Sequence, residues 1–359
     1  MHILVEAAYM CSHWCTHYIK GIAAQAKRKN IQIAVHSSAD FSIDELTADS
    51  CVIMLGSSMS WAAQTMHLLH TNGIRPIVLS LANYQKQFPF ASFISMDYDD
   101  ASRKLMKYLE EKGCRRTALF AVDPQSATDS SKVANFLLEP RHAKTDIFTY
   151  TDTLHATCSR LIDRIQNYDS VICANDIAAV ILMKRLSEIG ITAPDRIHIA
   201  TFGDTVLSSL GIQNITIAKV KSAEAGKLAI NAYNLLKTVP SLSSLAMLLH
   251  CDILGAGGEK IDVQLQQRNK ACGESSDGST FFSDPDVSEV LLVEKLLSGC
   301  DKLDVLILRE LLNRESYSKI AAKLFVAENT ISYRIKRILS MAPEKTKEEV
   351  FDLLAQFLV

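Results

Sequence analysis

Up to about residue 255 the chain alternates short apolar runs with amphipathic stretches, and this alternation limits the fold more than any other feature. Runs of β-formers occur at Ile31–Val35, Cys51–Leu55, Pro76–Leu79, Thr117–Val122, Ser170–Ala174 and Ile197–Phe202, and His2–Val5 opens the chain with another. Between most of them lie helical stretches. Trp14–Lys29 puts Ile19, Ile22, Ala23 and Ala26 on one face, Ala101–Lys112 stops at Gly113, and Asn175–Ile189 stops at Gly190 with Pro194 beyond. Strands that are apolar throughout have no face for water, so they predict a parallel sheet covered by helices on both sides. About 255 residues is long for one doubly wound sheet. Two α/β lobes in series fit better, with a ligand in the cleft at the carboxyl ends of the strands.

After Gly255 the texture changes. Gly257, Gly258, Gly273 and Gly278 mix with Asn269, Ser275, Ser276 and Asp277, and Gln264–Lys270 is polar, so 257–286 reads as a linker. Helical periodicity resumes at Val287–Ser298 and Leu303–Leu312. Then comes SYSKIAAKLFVAENTISYRIKRI, Ser316 to Ile338. Tyr317–Leu324 predicts a first helix with Ile320, Ala321 and Leu324 on one face; the small Ala321 lets a second helix pass close. Val326 plugs the turn, and Asn329 or Thr330 is expected to cap the second helix. There Ile331, Ile335, Ile338 and Leu339 form a narrow buried arc, with Asn329, Tyr333, Lys336 and Arg337 opposite and Thr330 and Arg334 flanking. A helix in the major groove needs this arrangement: polar residues for base edges and cations for phosphates. Asn329 suits adenine and Arg337 guanine or phosphate. An amphipathic hairpin used for dimerisation would share the apolar spacing.

Charge supports the first reading. The whole chain carries a formal −2, yet residues 313–347 hold eight Lys/Arg against three Glu. No signal-peptide pattern begins the chain and no apolar run is long enough for a bilayer. The nine cysteines are scattered, without Cys-x-x-Cys spacing, which suits a reducing cytoplasm.

Other signals are weaker. CSHWCTH places Cys11, His13, Cys15 and His17 together, but the cysteine pair and the histidine pair point about 200° apart on a helix. The four cannot surround one ion on a regular helix, and no metal site is expected. No phosphate loop, dinucleotide fingerprint or nucleophile elbow is found, and GAGG at Gly255–Gly258 comes too late. Asp97, Asp99 and Asp100 begin a helix, where carboxylates suit the dipole. Neither catalytic residues nor a cofactor are expected.

Two resemblances follow from these residues. SKIAAKLFVAENTISYRIKRI resembles the helix-turn-helix that ends bacterial purine-catabolism and sugar-diacid regulators, and more distantly that of quorum-sensing-type regulators. Phe325 stands where the commoner motif has Gly, which fits the first group. The likeness covers about 300–359, with Lys347–Phe357 as a closing helix. DSVICANDIAAVILMKRLSEIGITAPDRIHIATFGDT, Asp169 to Thr205, resembles the effector domain of the lactose/galactose repressor family, itself related to periplasmic sugar-binding proteins. SMDYDDASRKLMKYLEEKGCRRTALF matches that family's crossing into its second lobe, and NITIAKVKSAEAGKLAINAYNLL its return. The usual member carries its DNA reader ahead of this module. Here Met1 leads straight into the first strand, and the reader is expected at the other end, as in xylose-responsive activators.

The second resemblance implies a pocket. Lys132 falls where the family has Arg, and Asn175 on its ligand-contacting polar residue. The family's ligand-gripping Asp falls on Gly203, leaving only Asp204 and putting a plain monosaccharide in doubt. The first-lobe loop Ala8–Trp14 adds Tyr9, His13 and Trp14 as rings to stack on a ligand.

The expected fold class is α/β: a two-lobed, periplasmic-binding-protein-like sensor of two doubly wound parallel sheets, plus a C-terminal all-α helix-turn-helix domain. The sensor is expected over 1–256, lobe one at 1–97 and 219–245 and lobe two at 98–218 and 246–256. The linker takes 257–286 and the helix-turn-helix domain 287–359. The function implied is a cytoplasmic, ligand-responsive bacterial transcription regulator. Its partners would be DNA, a small polar effector (a sugar or related metabolite) and a second copy, paired through Ser222–Leu236, with no membrane. The alternative is a sensor whose helical tail serves oligomerisation or a protein partner.

Overall fold

The structure, a computed structural model, describes residues 1–10, 12–46, 50–81, 84–209, 214–263 and 281–358. The chain starts in the first lobe with β1 (His2–Val5), α1 (His13–Arg28), β2 (Ala34–Ser37), β3 (Cys51–Leu55), α2 (Met59–Thr71), β4 (Arg75–Leu79) and β5 (Ser92–Met96). The strands are parallel, and β3 and β5 are buried end to end. The β2 strand lies a few residues beyond its expected place.

The second lobe follows with α3 (Tyr98–Glu111), β6 (Thr117–Val122), α4 (Ala127–Leu137), β7 (Ile147–Thr149), α5 (Leu154–Ile162), β8 (Ser170–Cys173), α6 (Asp176–Glu188), β9 (His198–Gly203), α7 (Val206–Ser209) and β10 (Ile215–Lys219). The Asp97 carboxylate caps α3 by accepting the Asp100 N–H at 3.0 Å, so the acidic cluster begins a helix.

The chain then returns to lobe one as α8 (Ser222–Thr238) and β11 (Ala246–Leu249). The helices α1 and α8 cross without a spacer: a Cβ on Gly21 would lie 2.1 Å from the Ala223 carbonyl oxygen, and one on Gly226 2.2 Å from that of Tyr18. β11 pairs with β5, giving the first sheet the order β11-β5-β4-β3-β1-β2. The expected return to lobe two at 246 therefore comes later, at β12 (Asp252–Leu254), because the apolar Ala246–Leu249 completes the first sheet. β12 and β13 (Lys260–Ile261) are antiparallel additions to a second sheet ordered β13-β12-β10-β9-β8-β6-β7.

The linker expected at 257–286 is shorter among the described residues. Lys260–Ile261 is paired, and a 3-10 turn at Phe281–Ser283 runs straight into α9 (Pro285–Ser298). Gln264–Lys270 and Gly273–Gly278 lie outside the described residues. The bundle continues as α10 (Lys302–Leu312), α11 (Tyr317–Leu324), α12 (Glu328–Leu339) and α13 (Lys347–Leu358).

This bundle does not hang free. Val287, Val290, Val293 and Leu297 of α9 and Leu354 and Phe357 of α13 share one buried core with Ile177, Val180 and Ile181 of α6. At its edge the Lys184 ammonium donates to Gln356 Oε1 at 2.6 Å and sits over the Phe357 ring. The architecture is thus α/β, with two parallel-dominated sheets and a C-terminal all-helical domain.

Candidate functional site

Strand ends and helix starts of both lobes converge on one cleft of about 860 Å³, part of it open to solvent. Tyr9, His13, Trp14, Lys132, Asn175 and Asp204 all line it. The lobes meet on two sides. On one side the Ser57 hydroxyl lies 3.2 Å from that of Ser126, and the Ala127 N–H donates to the Ser57 carbonyl. Glu6 holds that loop in place, its Oε2 accepting the N–H groups of Ser57 and Ser58 at 2.9 and 3.2 Å. On the other side Asp204 meets His13 and His17, each at 3.2 Å.

The Lys132 side chain is buried at the floor. Its ammonium donates to Asp129 Oδ1 and to the Ala174 carbonyl, both at 2.7 Å, and lies about 5 Å from the Tyr98 and Phe202 ring centres. Two of its three N–H donors are therefore committed. Asn175 is the N-cap of α6, its Oδ1 accepting the Ala178 N–H at 2.9 Å. The cap spends the oxygen and leaves the amide NH₂ at the cleft.

Gly203 is explained by its neighbour. A Cβ there would lie 2.0 Å from the Asp176 carboxylate. Asp176 fills the space a side chain at 203 would need and itself lines the cleft. Its Oδ2 accepts the Thr205 N–H and hydroxyl and the Ser208 hydroxyl.

Burial pulls the His13 pKa down, but the Asp204 hydrogen bond and the charges of Asp176, Asp204 and Glu294 outweigh it, so the net direction is up. Burial opposes ionisation of Asp204, yet hydrogen bonds from His13 and His17 hold it well below the usual carboxylate range. Cys15 of the same turn is a buried thiol pushed up to about 12 by desolvation, and Cys11 lies outside the described residues.

Sequence reasoning missed the hydroxyl wall of Ser57, Ser80, Ser126 and Thr128, and the aromatic pair Phe281 and Phe282. Phe282 stands edge-on to Tyr9 at 5.7 Å and Phe281 edge-on to Tyr150 at 5.4 Å. Two aromatics in a polar stretch just before the Asp284–Pro285 helix start were the available signal. Glu294 was also missed: it is a buried carboxylate on Leu-rich α9. It accepts the N–H groups of Val206 and Leu207 at 2.8 and 3.1 Å, capping the helix that follows Asp204. Burial raises its pKa, and those two bonds offset part of the rise.

These features coincide with a known fold. Residues 106–237 match the periplasmic binding protein-like domain. The HTH-type transcriptional regulator GalR of Streptococcus thermophilus is 25% identical over 170 residues, 42% of this chain and 51% of the relative. The chain thus matches about half the length of that curated relative. Among solved structures, a transcriptional regulator CelR–cellobiose complex superposes with a TM-score of 0.60 at 14% identity, covering 70% of this chain and 83% of that one. The transcription regulator CcpA of Lactococcus lactis gives 0.59 at 15% identity, covering 71% and 97%. At such identities the likeness is one of fold. The periplasmic-binding-protein-like lobes supply the cleft, and the helical bundle is added to the second of them.

In the bundle, Asn329, Tyr333, Lys336 and Arg337 are exposed, and Thr330 is partly so. The α12 N-cap is Ala327, without a side-chain cap, so neither Asn329 nor Thr330 caps it. The helix starts earlier than the sequence suggested because Phe325 takes the left-handed turn position at φ 55°. Arg334 is turned inward, donating to Asp301 Oδ2 at 2.7 Å and Asp304 Oδ1 at 2.8 Å; Arg337 also reaches Asp304. Among the described residues no helix is long and apolar enough to cross a membrane.

Proposed function

We propose that the chain is a ligand-responsive transcription regulator, acting in the cytoplasm as a homodimer. A small, hydroxyl-rich effector such as a sugar or related metabolite binds between the lobes and controls DNA binding by α11 and α12. The observation that carries this reading is the position of Phe281 and Phe282. The segment that leads into the helical bundle is itself part of the cleft wall. A ligand that displaces or tightens those rings acts on the first residues of α9. Glu294 adds a second linkage, from the loop that follows Asp204 to the middle of α9. Differential affinity for two arrangements of that joint then shifts the bundle.

The polar wall suits hydroxyl groups. Ser57, Ser80, Ser126 and Thr128 both donate and accept, Lys132 keeps one N–H, Asn175 keeps its amide, and Trp14 offers a ring face. The CelR structure with cellobiose is in keeping with this chemistry. On DNA, Asn329, Thr330 and Tyr333 would face bases, with Lys336 and Arg337 on phosphates. Arg334 would act from behind, holding α12 against α10. The name of the GalR relative supports the DNA-reading half.

The test is a genome-fragment selection with the full-length protein beside Asn329→Ala/Lys336→Ala. Enrichment by the wild type, lost in the variant and falling steeply as salt rises, supports the reading. No enrichment at low salt, with or without a small-molecule cell extract, sinks it. One observation favours a protein-partnering bundle instead: Phe325 is 95% exposed and Tyr333 70% exposed, both near the presented end of α12. Self-association insensitive to salt and lost in Phe325→Ser would favour that second reading.

A further inference from the structure

We infer that His13, His17 and Asp204 form a binding site for a divalent transition-metal ion that ties the two lobes together. The histidines are four apart on α1, so they share a face, and their rings stand edge-on at 5.0 Å. Asp204 comes from the other lobe, in the loop after β9. It brings one carboxylate oxygen to 3.2 Å from His13 Nε2 and the other to 3.2 Å from His17 Nδ1. One ligand atom from each residue lies within 4.8 Å of the others. Zinc ligands at 2.0–2.1 Å in a tetrahedron stand about 3.3 Å apart, and each histidine nitrogen already lies about that far from one of the two carboxylate oxygens. One carboxylate oxygen serving both histidines needs only a small turn of the Asp204 side chain.

Two imidazoles and one carboxylate make a borderline donor set. It suits Zn²⁺, Co²⁺ or Ni²⁺ rather than Mg²⁺ or Ca²⁺, and it leaves a coordination position open to water or to a ligand in the cleft. The surroundings favour a cation. Besides Asp204, the carboxylates of Asp176 and Glu294 act on His13. The three side chains are partly shielded, with exposures between 10% and 18%. The sequence excluded an ion surrounded by one helix; the fold provides the third ligand from the opposite lobe. Without metal the same groups make a hydrogen-bonded clasp, which is the rival account. The inference stands whether or not the bundle reads DNA.

The experiment uses full-length protein stripped with chelator and titrated with Co²⁺, then Zn²⁺. The expected result is one equivalent of Co²⁺ with visible d–d absorption of a low-coordinate N/O centre, displaced by Zn²⁺. Zn²⁺ should also raise the melting temperature. His17→Gln should weaken binding by about a hundredfold or more and abolish the thermal shift, and Asp204→Asn should act alike. Circular dichroism of both variants should match the wild type. No Co²⁺ absorption from the wild type overturns the inference. So does an unchanged spectrum in His17→Gln, or thiolate charge-transfer bands, which would assign the ion to cysteines.

Discussion

The Tyr9 ring in the first lobe meets the Phe282 ring edge-on, with centroids 5.7 Å apart. Phe282 stands three residues before the start of α9, so this contact joins a cleft-lining residue directly to the helical bundle. If α11 and α12 read DNA as proposed, Phe282→Ala should keep DNA retention while losing its response to a small-molecule cell extract. Retention assays with and without extract check this; an intact response would show that the ring is not part of the linkage.

Gly203 and Asp176 compete for one volume. Gly203→Asp should lower stability by about 2 kcal/mol or more, because its Cβ meets the Asp176 carboxylate and adds a second buried charge. Gly203→Asp with Asp176→Ala should recover part of the loss. Urea unfolding of the wild type and the two variants measures both effects, and a neutral single substitution would contradict the packing described.

Lys132 is a buried cation whose partner Asp129 is also buried. Lys132→Met should cost about 3 kcal/mol by leaving that carboxylate unpaired, and Asp129→Asn added to it should restore some of it. Denaturant melts of the double-mutant cycle give the coupling energy; simple additivity would mean that the pair is not coupled.

The Arg334 guanidinium, with backbone N–H groups behind it, holds the Asp301 carboxyl down at about 2. The ordinary value is about 3.9, so the folded state binds the proton more weakly than the unfolded chain. The contact therefore stabilises fully above about pH 4 and is lost as pH falls through about 2. Asp301→Asn should melt below the wild type at pH 6 and converge with it near pH 2. Melting curves across that range check the sign.

Much of the fold was legible because burial leaves a simple mark. Cys51–Leu55 and Thr117–Val122 are buried end to end and were read to the residue. Ser92–Met96 was missed because Ser92 and Ser95 interrupt the apolar run. Both serines are nevertheless buried, and Ser92 accepts the Leu245 N–H at 3.0 Å. The spacing of Ile331, Ile335 and Ile338 marked the buried face of α12, and all three are buried. Side-chain direction was less legible: nothing in the order of Arg334 and Arg337 tells that a buried Asp304, some thirty residues earlier, draws Arg334 inward and pairs with the exposed Arg337. The cleft was legible where the chain passes it once, as at Tyr9, His13 and Trp14. Its hydroxyl wall was not, since those groups arrive from several separate loops. The meeting of His13 with Asp204 joins positions 191 residues apart, a distance over which local pattern carries nothing.

The core shared by α6, α9 and α13 bears on how such a chain can be recombined. A bundle on a free tether would be a cassette, exchangeable at any point in the tether. Here a cut near Asp286 would strip Val290, Val293 and Leu297 from lobe two and bare the apolar side of α6. Grafting this bundle onto another sensor would need the α6 surface to travel with it, or a new one to be built.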